Sequence, residues 1–154
     1  MNYRPDRGVT LLELLLTVSI ISIIGLMSTG FSARFFRQND VINTTERLVH
    51  SLRKAQTYSM TGKYNSTKND WGVHYGSNRI TMFLSDASSP DPYTSRTVAF
   101  DEVWNVNSAV TITGLTQIVF GNSTGLPSTT ATITISGGNT SRTVTVNSQG
   151  VVSR

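Results

Sequence analysis

The feature that most restricts this chain is an uncharged apolar stretch near its N-terminus. Residues 14–33 contain no Asp, Glu, Lys or Arg and are dominated by Leu, Ile and Val. A run of about 20 such residues is long enough for a helix to cross the hydrocarbon layer of a bilayer. Arg4 and Arg7 precede the run and only Asp6 opposes them, so the positive-inside tendency predicts a cytoplasmic N-terminus. We therefore expect a single-pass protein of the cytoplasmic (inner) membrane whose remaining chain is extracytoplasmic.

Two simpler interpretations of this stretch are a secretory signal peptide and a plain signal anchor. A signal peptide also has a basic start and an apolar region, but its cleavage site has small residues directly after that region. Here the apolar region instead runs into a polar helical pattern at residues 34–38. The sequence therefore favours a stretch that stays attached to the folded part of the chain.

The helical pattern continues beyond the apolar stretch. Between Asp40 and Thr61, apolar or small residues recur at steps of three, four or seven, as on one face of a helix. These positions are Val41, Leu48, Leu52, Ala55 and Ser59 or Met60. Charged and polar side chains fall largely on the opposite face, and Gly62 is a suitable stop. The pattern predicts one helix from near Val9 to near Thr61.

After Gly62 the pattern changes to short runs that are typical of β-strands. The predicted strands are residues 71–75, 79–84, 96–100, 109–113, 117–120, 130–136, 142–147 and 151–153. Turn residues at 76–78 and 137–139 predict hairpins, and residues 88–92 predict an exposed loop. The predicted fold class is α+β, with one long N-terminal helix packed on a C-terminal antiparallel β-sheet head.

Composition limits the function classes. The 154 residues suffice for one compact domain plus one long accessory element. Cysteine is absent, which excludes disulfides, thiolate catalysis and cysteine-ligated zinc. A tethered hydrolase would need a nucleophile, a base and an orienting acid, and the sequence offers no such set. We expect no catalytic residues, no metal and no cofactor.

The most specific signal lies at the start of the apolar stretch, where the order is Gly8-Val9-Thr10-Leu11-Leu12-Glu13. Glu13 sets one carboxylate at the edge of an otherwise uncharged apolar helix. An ionised side chain in hydrocarbon is costly unless a cation pairs with it. Glu13 should therefore have a positive partner, unless it only reaches the membrane boundary with its charged end.

These residues resemble the processing site of type IV prepilins and type II secretion pseudopilins. That site combines a short basic leader, a Gly, an apolar or aromatic first mature residue and a Glu at the fifth mature position. Counted from Val9, Glu13 is the fifth residue. The resemblance implies that a prepilin peptidase, which is also a methyltransferase, cuts between Gly8 and Val9 and methylates the new amine of Val9. This sequence departs from the family's pattern at two positions. Val9 replaces the commoner Phe, and Gly30 stands where many pilins have a helix-bending Pro.

In that family's arrangement, the new amine of Val9 lies within reach of Glu13 on a neighbouring helix. Pairing matters more in a low-dielectric setting than in water, so this ion pair sets the axial register of packed subunits. The apolar side chains of the N-terminal helix supply most of the area that packs between subunits in the filament. The assembly residues are therefore Glu13 and Val9.

Residues 48–60, 71–73 and 150–152 look like the narrower GspH/FimT group of minor pseudopilins and minor pilins. The expected organisation is a leader at 1–8, a transmembrane and polymerisation helix at 9–36, the amphipathic half of the same helix at 37–61 and a β-rich head at 62–154. The expected function is that of a structural subunit of a type IV pilus or type II secretion pseudopilus. Its expected partners are other pilin or pseudopilin subunits, the prepilin peptidase and the cytoplasmic membrane.

The alternative function is that of a DNA-binding minor pilin of a competence or DNA-uptake pilus, since some members of the resembling group take part in DNA uptake. The net charge of +4 permits a nucleic-acid partner without requiring one. Arg142 and Arg154 are the candidate DNA contacts. Because the basic residues do not cluster in sequence, we favour the interpretation in which Arg discourages aggregation at a solvated edge strand.

The remaining candidate residues are interpreted as structural. His50 and His74 are the two histidines, and Asp70 with His74 gives no metal-ligand spacing beyond a single pair. We expect both histidines at the surface or in loops. The aromatic residues of the strand region are expected to pack in the core: Trp71, Tyr75, Phe83, Phe100, Trp104 and Phe120.

Overall fold

A single helix, α1, spans Leu11–Thr61, close to the predicted bounds. Thr10 caps its N-terminus, because the Thr10 hydroxyl accepts a hydrogen bond from the Glu13 N–H at 3.2 Å and so satisfies one of the free amides of the first turn. Gly62 ends the helix at a φ of 59°, in the left-handed region that glycine enters without steric cost. Local residue chemistry therefore accounts for both ends of the helix.

The computed structural model describes residues 9–64, 70–85 and 89–154, and within them residues 27–34 by their backbone alone. The chain divides into two compact units, Met1–Phe36 and Arg37–Arg154. Residues 1–8, which include Gly8 and the predicted leader, lie outside the described residues, as does Ser88 of the predicted loop.

The second unit contains the part of α1 from Arg37 onward, and its core uses the helix face that the periodicity predicted. Four apolar positions of that face are fully buried: Val41, Leu48, Leu52 and Ala55. Ser59 continues the face, since it is fully buried whereas Met60 is 54% exposed. The Ser59 hydroxyl accepts a hydrogen bond from the Trp71 N–H at 2.8 Å. This bond links the last turns of the helix to the first strand.

Eight strands are present among the described residues. In chain order they are β1 Asp70–Gly76, β2 Arg79–Ser85, β3 Glu102–Asn105, β4 Thr111–Thr113, β5 Gln117–Phe120, β6 Ala131–Gly137, β7 Thr140–Val146 and β8 Val152–Ser153. They form two four-stranded sheets, with the orders β3-β2-β1-β5 and β4-β6-β7-β8. All pairings are antiparallel. The antiparallel head is confirmed, and the structure shows that it is divided into two sheets.

The hairpin predictions are confirmed and one strand prediction is wrong. Ser77 and Asn78 adopt φ values of 52° and 57° between β1 and β2, as a tight hairpin with two left-handed central residues requires. The predicted strand at 96–100 is instead a bend followed by a short 3-10 helix, Val98–Phe100. The Arg96 Nε donates to the Asp101 Oδ2 at 2.8 Å and so closes the segment on itself. The strand begins after this turn, at β3.

The core lies between α1 and the inward faces of both sheets. The alternation in β6 and β7 buries Ile133, Ile135, Val144 and Val146 and leaves the intervening hydroxyl residues on the outer face. Trp71 and Phe120 are buried in this core, and the other predicted aromatic residues that pack against it are Tyr75, Phe100 and Trp104. Phe83 is also buried, but it lies outside this cluster and contacts Tyr93 edge to face with ring centroids 5.3 Å apart.

Polar residues of α1 bind the strands as well as facing solvent. Lys54 Nζ lies 2.6 Å from the Glu102 Oε2 on β3. The Arg53 guanidinium donates to the Val152 carbonyl on β8 at 3.0 Å. These contacts join both sheets to the same helix, so α1 is the common support of the head.

Candidate assembly site

The start of α1 has the form of a capping box, Thr10-x-x-Glu13. With Thr10 as the N-cap, Glu13 is the third helical residue and the acidic residue of the first turn. A carboxylate there is stabilised by the helix dipole. Sequence reasoning assigned no role to Thr10, although the Thr-x-x-Glu pattern before an apolar run would have identified it.

The described segment that follows presents apolar side chains on all sides. Each large apolar residue between positions 9 and 26 is at least 49% exposed: Val9, Leu11, Leu12, Leu14, Leu15, Leu16, Val18, Ile20, Ile21, Ile23, Ile24 and Leu26. A helix that is apolar all round is normally buried in a core or a membrane. A contiguous apolar surface of this kind marks an interaction site.

The polar side chains within this segment bond to the helix itself. The hydroxyls of Thr17, Ser19 and Ser22 donate to the carbonyls of Leu14, Leu15 and Val18, at 2.9, 2.7 and 2.8 Å. Burial of a hydroxyl costs little when its hydrogen bond is already made. These residues are therefore compatible with an apolar environment around the helix.

The predicted processing site and membrane span are only partly covered by the description. Gly8 lies outside the described residues, and so do the side chains of residues 27–34, which overlap the predicted span at 14–33. Over the residues that the structure describes, no helix is long and apolar enough to cross a membrane. Cleavage after Gly8, methylation of Val9 and pairing of Val9 with Glu13 stay predictions.

The two candidate DNA contacts lie beside one depression of about 510 Å³ in the head. It is lined by Ile42, Glu46, Arg142, Thr143 and Arg154. Arg154 is ion-paired with Glu46 on α1, and both side chains are about half exposed. The structure therefore brings Arg142 and Arg154 together, but it adds an acid that the sequence pattern did not place there. A DNA contact at these residues stays a prediction.

A cluster around His74 was not anticipated. The His74 ring stacks on the Tyr93 ring with centroids 3.6 Å apart and planes 7° apart, and the Arg96 guanidinium lies 4.0 Å from the same Tyr93 centroid. Burial lowers the pKa of His74 and the positive charge of Arg96 lowers it further, while Asp91 acts in the opposite direction. His74 is therefore a half-buried strand residue that holds a loop, whereas His50 is exposed as expected.

Taken together, a capped apolar helix start and a β-sheet head supported by the same helix define the class of pilin-type assembly subunits. The model of the family "Type II transport protein GspH" matches residues 44–150. The prokaryotic N-terminal methylation motif matches residues 3–29. The chain belongs to the GspH family and is a type II secretion pseudopilin or type IV pilin subunit. No curated protein and no solved structure matches the chain significantly.

Family membership has direct consequences for the biology. The matched families are structural pilin or pseudopilin subunits rather than enzymes. Pseudopilins assemble with other pilin subunits and are processed by prepilin peptidase. The family implies a subunit anchored in the inner membrane.

Proposed function

We propose that this chain is a minor pseudopilin or minor pilin that a prepilin peptidase cuts between Gly8 and Val9 and methylates on Val9. Residues 9–36 anchor the subunit in the inner membrane and then pack in the filament. The head lies on the extracytoplasmic side, as the basic residues before Gly8 predict. The observation that carries the proposal is the position of Glu13, in the first turn of a Thr10-capped helix whose following side chains are apolar and exposed.

The charge arrangement explains why processing would matter for assembly. Cleavage creates an ammonium on Val9, directly before the cap residue Thr10. A cation at a helix N-terminus opposes the helix dipole, so it needs an anion nearby. Glu13 supplies that anion to the amine of a neighbouring subunit. Before cleavage this amine does not exist, and the uncleaved chain lacks the partner for Glu13.

The ion pair would act on the register of neighbouring subunits. Apolar side chains pack almost equally well at several axial staggers, because dispersion and burial have little directionality. A stagger that separates Val9 from Glu13 leaves two unpaired charges in a medium of low dielectric, which is strongly unfavourable. The pair therefore contributes specificity more than stability.

The DNA-binding alternative has weaker support. The Glu46 carboxylate next to Arg154 would repel a phosphate. Binding of duplex DNA to the processed chain, steeply dependent on salt and lost when Arg142 and Arg154 become Ala, would be needed to adopt it.

The experiment that tests the main proposal is intact-mass analysis of the membrane form, produced with and without a prepilin peptidase. We expect loss of residues 1–8 and gain of one methyl group only when the peptidase is present. A Gly8→Leu variant is the control, since it should remain full length in both samples. An uncut parent chain in the presence of active peptidase would refute the proposal.

A further inference from the structure

One face of the sheet β3-β2-β1-β5 is turned away from α1. Ile80 and Met82 of β2 are buried in the core together with the helix. Because side chains alternate along a strand, Thr81 between them lies on the opposite face. The register sets His74 of β1 and Val103 of β3 directly beside Thr81. These three residues therefore form one row across the outer face of the sheet.

A loop folds over this outer face and encloses a cavity with it. The Tyr93 ring stacks on the His74 ring with centroids 3.6 Å apart. Arg96 holds the loop, because its guanidinium donates to the Tyr93 carbonyl at 2.9 Å and to the Asp101 Oδ2 at 2.8 Å. The cavity between the loop and strands β1, β2 and β3 measures about 360 Å³, and all four of these residues line it. That volume is within the range of small-molecule sites.

Thr81 brings a buried hydroxyl to this cavity. It lines the cavity and is only 4% exposed, and no described residue is hydrogen-bonded to its hydroxyl. The described side-chain polar atoms that are both enclosed and unpartnered are Trp71 Nε1, Asp101 Oδ1 and Gln117 Oε1. The Thr81 hydroxyl is not one of them, so it is open to the cavity. Because a buried hydroxyl without a partner is unfavourable, a ligand group that bonds to Thr81 gains binding free energy.

The charges around the cavity balance. Arg96 is ion-paired with Asp101, while Arg79 lines the cavity, is exposed and takes part in none of the described ion pairs. The Asp91 carboxylate acts on His74 from the loop. Burial and then the charge of Arg96 lower the pKa of His74, so its ring is neutral near pH 7. Two arginines and two aspartates leave no net charge, and an anion such as phosphate gains little here.

The free groups of the cavity suit a ligand that carries hydroxyls. The hydroxyls of Thr81 and Tyr93 each donate and accept, and neutral His74 has one donor and one acceptor nitrogen. No described residue is hydrogen-bonded to the Tyr93 hydroxyl or to the His74 nitrogens. Arg79 adds donors, and Val103, which is 49% exposed, adds an apolar wall. A saccharide matches this set, since its hydroxyls donate and accept while its ring carbons are apolar.

We propose that this cavity is a binding site for a neutral saccharide. Thr81 and His74 hydrogen-bond to its hydroxyls. Arg79 donates to a hydroxyl at the mouth of the cavity, and Val103 contacts the C–H groups of the sugar ring. The inference goes beyond the proposed function, because neither cleavage nor packing of the N-terminal helix uses these residues. It adds a ligand-binding surface to a structural subunit.

The test uses the full chain in micelles of a detergent without a sugar headgroup. Glucose, galactose, mannose and N-acetylglucosamine are titrated separately at constant pH while the NMR signals of the histidine rings are followed. The chain has two histidines, so exposed His50 is an internal control. We expect at least one sugar to shift the His74 signals with a Kd in the millimolar range and to leave His50 unchanged. Inorganic phosphate and a short DNA duplex, added at the same ionic strength, should shift neither.

Substitutions of the cavity residues examine the contacts. Thr81→Val keeps the shape of the side chain but removes its hydroxyl, so the sugar affinity should fall about fivefold. Thr81→Ser should retain most of the affinity, because it retains the hydroxyl. Thr134→Val is the matched control, since it removes a hydroxyl from the outer face of the other sheet and should leave the affinity unchanged. Arg79→Met changes an exposed side chain and should weaken binding about tenfold, so the test holds even if Thr81→Val misfolds.

Four results would overturn the inference. The first is that none of the four sugars shifts the His74 signals, and the second is that His50 shifts as much as His74 does. The third is equal sugar affinity of the parent, Thr81→Val and Arg79→Met. The fourth is a shift of His74 by phosphate or by the duplex, which would make the cavity an anion site. All four leave the proposed function intact, because the mass analysis of the processed chain tests that function separately.

Discussion

The Thr10 hydroxyl accepts a hydrogen bond from the backbone N–H of Glu13 at 3.2 Å, so the residue that starts the helix also positions its first acid. This relationship lies at the boundary between the predicted leader and the apolar segment. The bond shows that Thr10 caps the helix, and under the proposed function the same turn presents the Glu13 carboxylate to a cation.

Removal of the Thr10 cap should loosen the start of the helix. We expect Thr10→Ala to cost about 1 kcal/mol in the first turn, because one amide loses its partner. Hydrogen exchange of the full chain in detergent micelles should then be about fivefold faster at residues 12–14. Thr17→Ala is the control, since the Thr17 hydroxyl only donates to a carbonyl within the helix. Equal effects of the two substitutions would contradict the capping role.

Loss of the Glu13 charge should impair assembly without preventing insertion. Glu13→Gln keeps the side-chain size but cannot pair with the amine of Val9. We expect the processed variant to accumulate in the membrane and to enter filaments about tenfold less than the parent. Glu46→Gln serves as the control, because Glu46 pairs with Arg154 in the head. Normal incorporation of the processed Glu13→Gln chain would refute the role of Glu13.

The buried face of α1 should dominate the stability of the head. Leu52 is fully buried, so Leu52→Ala should lower the free energy of unfolding by about 2–5 kcal/mol through lost burial and cavity formation. Met60→Ala, at a position 54% exposed on the same helix, should change it by less than about 0.5 kcal/mol. Denaturant unfolding in micelles, followed by tryptophan fluorescence, measures both. Similar losses for the two variants would show that the helix face is wrongly assigned.

Acid should weaken the packing of the loop held by His74. The pKa of this residue is lowered in the folded chain, first by burial and then by Arg96. In the unfolded chain the pKa of a histidine is about 6.5. As the pH falls below that value, the unfolded chain binds more protons than the folded chain does, so the free energy of unfolding decreases as the pH decreases. His74→Phe keeps an aromatic ring against Tyr93 but cannot titrate.

Unfolding midpoints measured between neutral and mildly acidic pH would test this linkage. The parent should lose more stability on acidification than His74→Phe. An unchanged acid response in His74→Phe would show that other groups are responsible.

Much of the fold is predictable because its signals are local. The period of α1, the stop at Gly62 and the left-handed pair Ser77 and Asn78 each depend on residues within one or two turns of chain. The strand predicted at 96–100 failed because its apolar residues suit either an extended or a turn conformation. The ion pair between Arg96 and Asp101 accompanies the turn, and no alternation pattern contains that contact.

The candidate site residues also divide into those that local sequence predicts and those that only tertiary contacts bring together. The charge of Glu13, the length of the apolar segment and the position of Val9 are linear features, and a sequence suffices to recognise them. The role of Thr10 is linear as well, but it became evident only when the hydrogen bond was seen. The joint position of Arg142, Arg154 and Glu46 required the strands to be arranged around the helix.

By itself, the sequence determined that this chain has a long helix, apolar at its start and amphipathic further on, followed by strands with one buried face. Periodicity and turn chemistry carry that information, since they act between near neighbours. Tertiary structure decided that the strands form two sheets and that β7 lies between β6 and β8. The physical reason is that alternation specifies which face of a strand is buried, whereas the strand that lies beside it depends on how all the buried faces pack together.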